Sequence, residues 1–85
     1  MERIILTATE YQWALRYIED RKKGLIIDYY PKSPKDPCKT VLDKALKLEE
    51  ETGSVEERIK GPLGGDIVYW FIREYQKQEG LPMME

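Results

Sequence analysis

The sequence predicts an all-α domain, a small bundle of three to four helices, and three observations predict it. Capping-box spacing appears at Thr7 with Glu10 and again at Ser54 with Glu57, while Asp36 and Asp66 each stand in front of an apolar run as N-caps. Apolar residues recur at i, i+3, i+4 and i+7 in three separate stretches. Gly24, Gly53 and Gly80 close those stretches where a chain must turn out of a helix.

The spacing predicts a first helix over 8–23, with Tyr11, Ala14, Leu15 and Ile18 as its core stripe and Trp13 and Tyr17 as an aromatic ridge beside it. Leu6 is placed to staple onto Tyr11. The next stretch, "LIIDYYPKSPKDP", is ambiguous: residues 25–30 read either as a second short helix or as a strand paired with residues 3–6. The strand reading makes the domain α+β with a short two-stranded element. Pro31, Pro34 and Pro37 then hold the chain extended and leave Lys32 and Lys35 in the open.

Asp36 and Pro37 form an N-cap and first-turn pair that opens a helix over 37–52, in which Cys38, Val41, Leu42, Ala45 and Leu48 keep helical spacing. Ser54 begins a short turn ended by Gly61 and Pro62. The segment "GPLGGDIVYWFIREYQ" then poses a choice between a phosphate cradle and a helix start. A P-loop would follow its last glycine with lysine and a hydroxyl, whereas Gly65 is followed by Asp66, a carboxylate that repels phosphate. Asp66 is therefore expected to cap a helix over 66–79. Ile67, Trp70, Phe71 and Tyr75 form its stripe, with Val68, Tyr69 and Ile72 as apolar flanks, so it reads as the central helix. Arg73, Glu74, Gln76, Lys77 and Gln78 are expected to emerge into solvent, and residues 80–85 to form a loose tail.

A chain of 85 residues makes one domain, residues 1–85, with a thin core. At roughly 0.05–0.15 kcal/mol per residue its stability is about 4–13 kcal/mol. One cysteine makes no internal disulfide, and a chain without histidine builds no Cys/His zinc cluster; no metal or cofactor is expected. Near the N-terminus only Ile4, Ile5 and Leu6 are consecutively apolar, far short of a signal core or membrane span, so a cytoplasmic location without membrane association is the expectation. No His-based dyad or nucleotide loop is present, and adjacent exposed carboxylates lack the desolvation that separates acid from base, so the chain reads as a non-enzyme.

The net charge of −2 hides an uneven distribution. Residues 21–47 hold eight Lys/Arg against three Asp, and residues 48–85 hold nine acids against four bases. Two candidate partner-binding sets follow. One is basic and aromatic, with Lys22, Lys23, Tyr29, Tyr30, Lys32 and Lys35; the other is acidic, with Glu49, Glu50, Glu56 and Glu57, able to imitate nucleic-acid phosphates.

Three stretches in order, "YIEDR" in the first helix, "YYPKSPKDPC" leading into the second and "GDIVYWFIREYQ" as an aromatic-rich last helix, resemble the PcfK-like family of small proteins encoded on conjugative plasmids and phages. That family includes an inhibitor of type II CRISPR nucleases. The resemblance implies a mobile-element protein that binds host machinery, an anti-CRISPR among the candidates, and it carries no catalytic residues. The alternative is a nucleic-acid-binding accessory of plasmid transfer or phage replication. It would use Arg21, Lys22, Lys23, Lys32, Lys35 and Lys39, with Tyr29 and Tyr30 as stacking groups. The oligomeric state is open at this level.

Overall fold

The computed structural model describes residues 3–25, 33–53, 55–56, 63 and 65–83. Three helices organise them: α1 (Ala8–Lys22), α2 (Pro37–Thr52) and α3 (Ile67–Glu79). Each packs on the other two, and among the described residues there is no strand.

α1 begins where the sequence places it. Thr7 Oγ1 accepts the Glu10 N–H at 3.1 Å, and Glu10 Oε1 accepts the Thr7 N–H at 2.9 Å, a complete capping box. At its end Gly24 adopts φ +76°, which lets the Leu25 N–H reach the Asp20 carbonyl at 3.1 Å and the Gly24 N–H reach that of Arg21 at 3.0 Å. These two bonds are a Schellman closure, and a side chain at residue 24 would strain it. Ala14 and Ile18 are buried, while Tyr11 and Leu15 pack partly buried against the same core.

α2 turns Val41, Ala45 and Leu48 inward. Two expectations for this helix are corrected. Leu42 is 39% exposed, because the buried stripe follows 41, 45 and 48 and leaves residue 42 on the flank of the helix, about 90° from the stripe's centre. Asp36 does occupy the N-cap position, but its carboxylate makes no capping bond and instead accepts the Ser33 N–H at 3.0 Å. The turn before the helix takes the carboxylate that the helix end would have used. Cys38, expected in the core, is only half-buried.

α3 is the central helix, with the five consecutive residues Val68, Tyr69, Trp70, Phe71 and Ile72 all buried. Its flanks are thus as enclosed as its stripe, because α1 and α2 cover it from two sides. Gln76 corrects the expectation of a solvent-facing position: it is buried, and its Nε2 donates to the Tyr11 hydroxyl at 3.0 Å, beside the tilted Tyr11–Tyr75 ring pair at 5.3 Å. An amide with a fixed partner is accommodated in the interior where a charged side chain would not be.

Residues 3–7 form an irregular strap rather than a strand. The Ile4 N–H donates to Gln78 Oε1 at 2.8 Å and the Ile4 carbonyl accepts Gln78 Nε2 at 2.8 Å, so one side-chain amide supplies both bonds a neighbouring strand would have made. The strand pairing considered for 3–6 and 25–30 has its second half, residues 26–30, outside the described residues.

Asp66 ties the bundle together. Its Oδ1 accepts the Val68 and Tyr69 N–H groups at 2.9 and 3.1 Å, as an N-cap should. Its Oδ2 accepts the Tyr17 hydroxyl at 2.9 Å and pairs with Arg21 Nε at 3.2 Å, two residues one turn apart on α1. Asp66→Ala is therefore expected to cost more than a cap alone, about 2–4 kcal/mol, whereas Asp66→Asn keeps an acceptor for both amides and costs about 1 kcal/mol. Denaturant unfolding of both variants measures this; equal losses would place the stabilisation in the Arg21 charge pair instead.

Candidate functional site

The residues singled out in the sequence do not assemble into one patch. At the end of α1, Lys22 is exposed with its Nζ 5.6 Å from the centre of the Tyr69 ring, and the Arg73 guanidinium is 5.7 Å from the same ring. Arg21 is paired with Asp66, Lys23 with Glu19 at 3.1 Å, and Lys39 with Asp43 at 2.9 Å. Lys35 is exposed in the turn before α2, where its N–H donates to Ser33 Oγ at 3.3 Å. In the acidic set Glu50 and Glu56 are exposed and Glu49 is half-buried. Tyr29, Tyr30, Lys32 and Glu57 lie outside the described residues.

The concave surface lies elsewhere, where the strap crosses between α2 and α3. Ile4 is buried there, and two adjoining cavities open on either side of it, sharing Ile4 and Leu48 in their walls. One, about 190 Å³, runs past Phe71 under Ile5, Lys44 and Lys47. The other, about 360 Å³, runs over Trp70 beside Thr52, Glu74 and Lys77. Ile5 stands at the rim, 73% exposed. Along the strap Ile4 is inside, Ile5 outside and Leu6 partly inside, the alternation of an extended segment.

Three of the basic heads around this groove are already engaged. Lys44 Nζ donates to Glu10 Oε1 and to the Ile5 carbonyl, both at 2.8 Å; Arg3 pairs with Glu79 at 2.7 Å and Lys77 with Glu74 at 3.4 Å. What these three long side chains contribute to the groove is their aliphatic stems. Lys44 ties α2 both to α1, through Glu10, and to the strap, through the Ile5 carbonyl. Burial would raise the Glu10 carboxyl, but the Lys44 ammonium, the Thr7 amide and the Thr40 hydroxyl outweigh it and hold the group below its ordinary value of 4.5. Burial, helped by Asp36, pushes the Cys38 thiol up, which disfavours the nucleophilic thiolate at neutral pH. Among the described residues, no group of acidic or cysteine side chains has the arrangement to hold a metal ion. No described helix is long and apolar enough to cross a membrane.

No family model matches this chain, and neither a curated protein nor a solved structure matches it.

The groove escaped sequence reasoning, which took Ile4, Ile5 and Leu6 as one short apolar run. The usable signal was its position directly before the Thr7 cap: a non-helical run of three apolar residues buries alternate members, so one of them must face outward.

The Glu10 linkage has a definite sign. A carboxyl held below its ordinary value in the folded state contributes stability that is complete above 4.5 and is lost as pH falls through the lower folded-state value. Glu10→Gln is expected to be less stable than the parent at about pH 7, with the difference smaller at about pH 3. Denaturation midpoints at the two pH values check this; a difference that does not shrink in acid would remove Glu10 ionisation as its source.

Proposed function

We propose that this chain is a non-enzymatic protein-interaction module whose partner inserts apolar side chains into the groove between α2, α3 and the strap. The observation that carries the reading is the groove's chemistry: an apolar floor of Ile4, Leu48, Trp70 and Phe71 with an exposed isoleucine at the rim, beside Arg3, Lys44 and Lys77, whose cations already have partners in this chain. Such a surface gains by covering apolar area and offers little to a phosphate. The nucleic-acid alternative draws less support, since Arg21, Lys23 and Lys39 are each paired with an acid nearby.

The resemblance to PcfK-like proteins suggests who the partner is. On that basis we place the chain among mobile-element proteins acting in the cytoplasm, with a guide-loaded type II CRISPR nuclease as the first partner to try. Ile5→Asp is the discriminating variant, because an exposed strap residue can change with about 0.5 kcal/mol or less of effect on stability. The parent is expected to bind and inhibit the nuclease, and Ile5→Asp to weaken both by at least about tenfold with an unchanged melt. Inhibition untouched by Ile5→Asp but abolished by reversing Glu49, Glu50 and Glu56 would move the contact to the acidic end of α2 and the residues just beyond it. Absence of both binding and inhibition in the parent would end the anti-CRISPR assignment.

A further inference from the structure

α2 carries a second surface that the groove does not use. Leu42 and Leu46, 39% and 48% exposed, lie one turn apart, Leu42 on the flank of the Val41, Ala45 and Leu48 stripe and Leu46 on the side turned away from it. At about 100° per residue, Lys39, Leu42, Leu46 and Glu50 fall within an arc of about 80°, forming a single seam along the outer face. The groove takes Lys44, Lys47, Leu48 and Glu51 from a neighbouring face, so both surfaces can be occupied at once.

We propose that this seam is where two copies of the chain associate, their α2 helices antiparallel about a two-fold axis passing between residues 44 and 45. The occupant follows from the order of residues along the seam. At about 1.5 Å per residue, Lys39 and Glu50 stand equally far, about 8 Å, on opposite sides of that axis. Reversing the helix therefore brings Lys39, whose exposed ammonium also pairs with Asp43 of its own helix at 2.9 Å, level with Glu50 of the partner subunit. Leu42 comes within about 1.5 Å of level with Leu46 of the partner subunit. The seam is its own complement, with leucines at the centre, the exposed Asp43 along its edge and opposite charges at each end, which is the requirement of an isologous contact.

A second observation fits the same arrangement. α2 has no acid in its first turn and no base in its last; Lys39 stands near its start, and Glu49, Glu50 and Glu51 stand near its end. Each charge opposes the helix dipole of its own chain. In the antiparallel pair Lys39 lies beside the carboxylates and C-terminal dipole of the partner helix, so the order that is unfavourable in one copy becomes favourable in two. A seam of four residues covers less than the roughly 800 Å² per partner of standard stable interfaces, so the dimer is weak and concentration-dependent.

Sedimentation equilibrium of the full chain from about 10 μM to about 1 mM tests this, with each variant's melt measured alongside. The mass is expected to rise from 10.1 kDa towards twice that value. Leu46→Glu, and the milder Leu46→Gln, should abolish the rise. Lys39→Glu and Glu50→Lys each place like charges opposite one another and should weaken association at least about fivefold at low salt. The double reversal restores opposite charges and should return it to within about twofold of the parent. A mass of 10.1 kDa at every concentration overturns the proposal. So does self-association indifferent to Leu46, a double reversal that fails to rescue, or a seam that takes a helix of another protein without self-association.

Discussion

One carboxylate fixes how the first and last helices meet. Asp66 is almost fully enclosed, its side chain 5% exposed, and burying a charge is costly unless donors surround it. Here four do: two amides of α3 on one oxygen, and the Tyr17 hydroxyl and Arg21 guanidinium of α1 on the other. Because the same group starts α3 and holds α1, its hydrogen bonds act together with the apolar packing to set the position of one helix relative to the other. The buried run from Val68 to Ile72 follows within the next two turns, and Tyr69 comes to lie under the Lys22 and Arg73 cations.

The other end of α3 is held by amides. Gln76 reaches Tyr11, Gln78 takes both backbone groups of Ile4, and Gly80 at φ +67° lets the Leu81 N–H close on the Gln76 carbonyl at 2.9 Å. α3 is thereby bonded to α1 at one end and to both α1 and the strap at the other. α2 is attached differently, by the apolar contacts of Val41, Ala45 and Leu48 and by the Lys44 ammonium reaching Glu10 and Ile5. The groove opens along the seam where this attachment is mostly apolar, between α2, α3 and the strap.

Helix positions were legible because capping and spacing are local signals. Thr7, Asp66 and the closing glycines lie within a few residues of the backbone they serve, and the helices begin and end within one residue of the expected bounds. Which way a side chain faces was less legible, because that depends on residues distant in sequence. Gln76 is polar and near a helix end, yet Tyr11 on another helix brings it inside. Leu42 satisfies helical spacing as well as Val41 does, and only the placement of α1 and α3 decides which of them is buried. Asp36 carries the residue type and position of a cap, but Ser33 competes for its carboxylate. The groove was least legible of all, being assembled from three segments with no shared motif.

The placement of charge separates the helices that hold the fold from the one that leaves surface open. α1 has Glu10 in its first turn and Arg21 and Lys22 in its last, and α3 has Lys77 in its last turn, all in accord with the helix dipole. α2 runs furthest against it, with no acid in its first turn and three glutamates but no base in its last, at a cost of about 0.3–1 kcal/mol per charge in a domain whose whole stability is about 4–13 kcal/mol. It is also the helix with two leucines facing outward and with one wall of the groove. Sequences depart from local rules where a second requirement competes with folding. In this chain the departures gather on α2, whereas the buried carboxylates of Glu10 and Asp66 are committed to holding elements together. The chemistry of the interior is thus spent on the scaffold, and recognition is left to the outer faces of the one helix whose sequence is not optimised for its own stability.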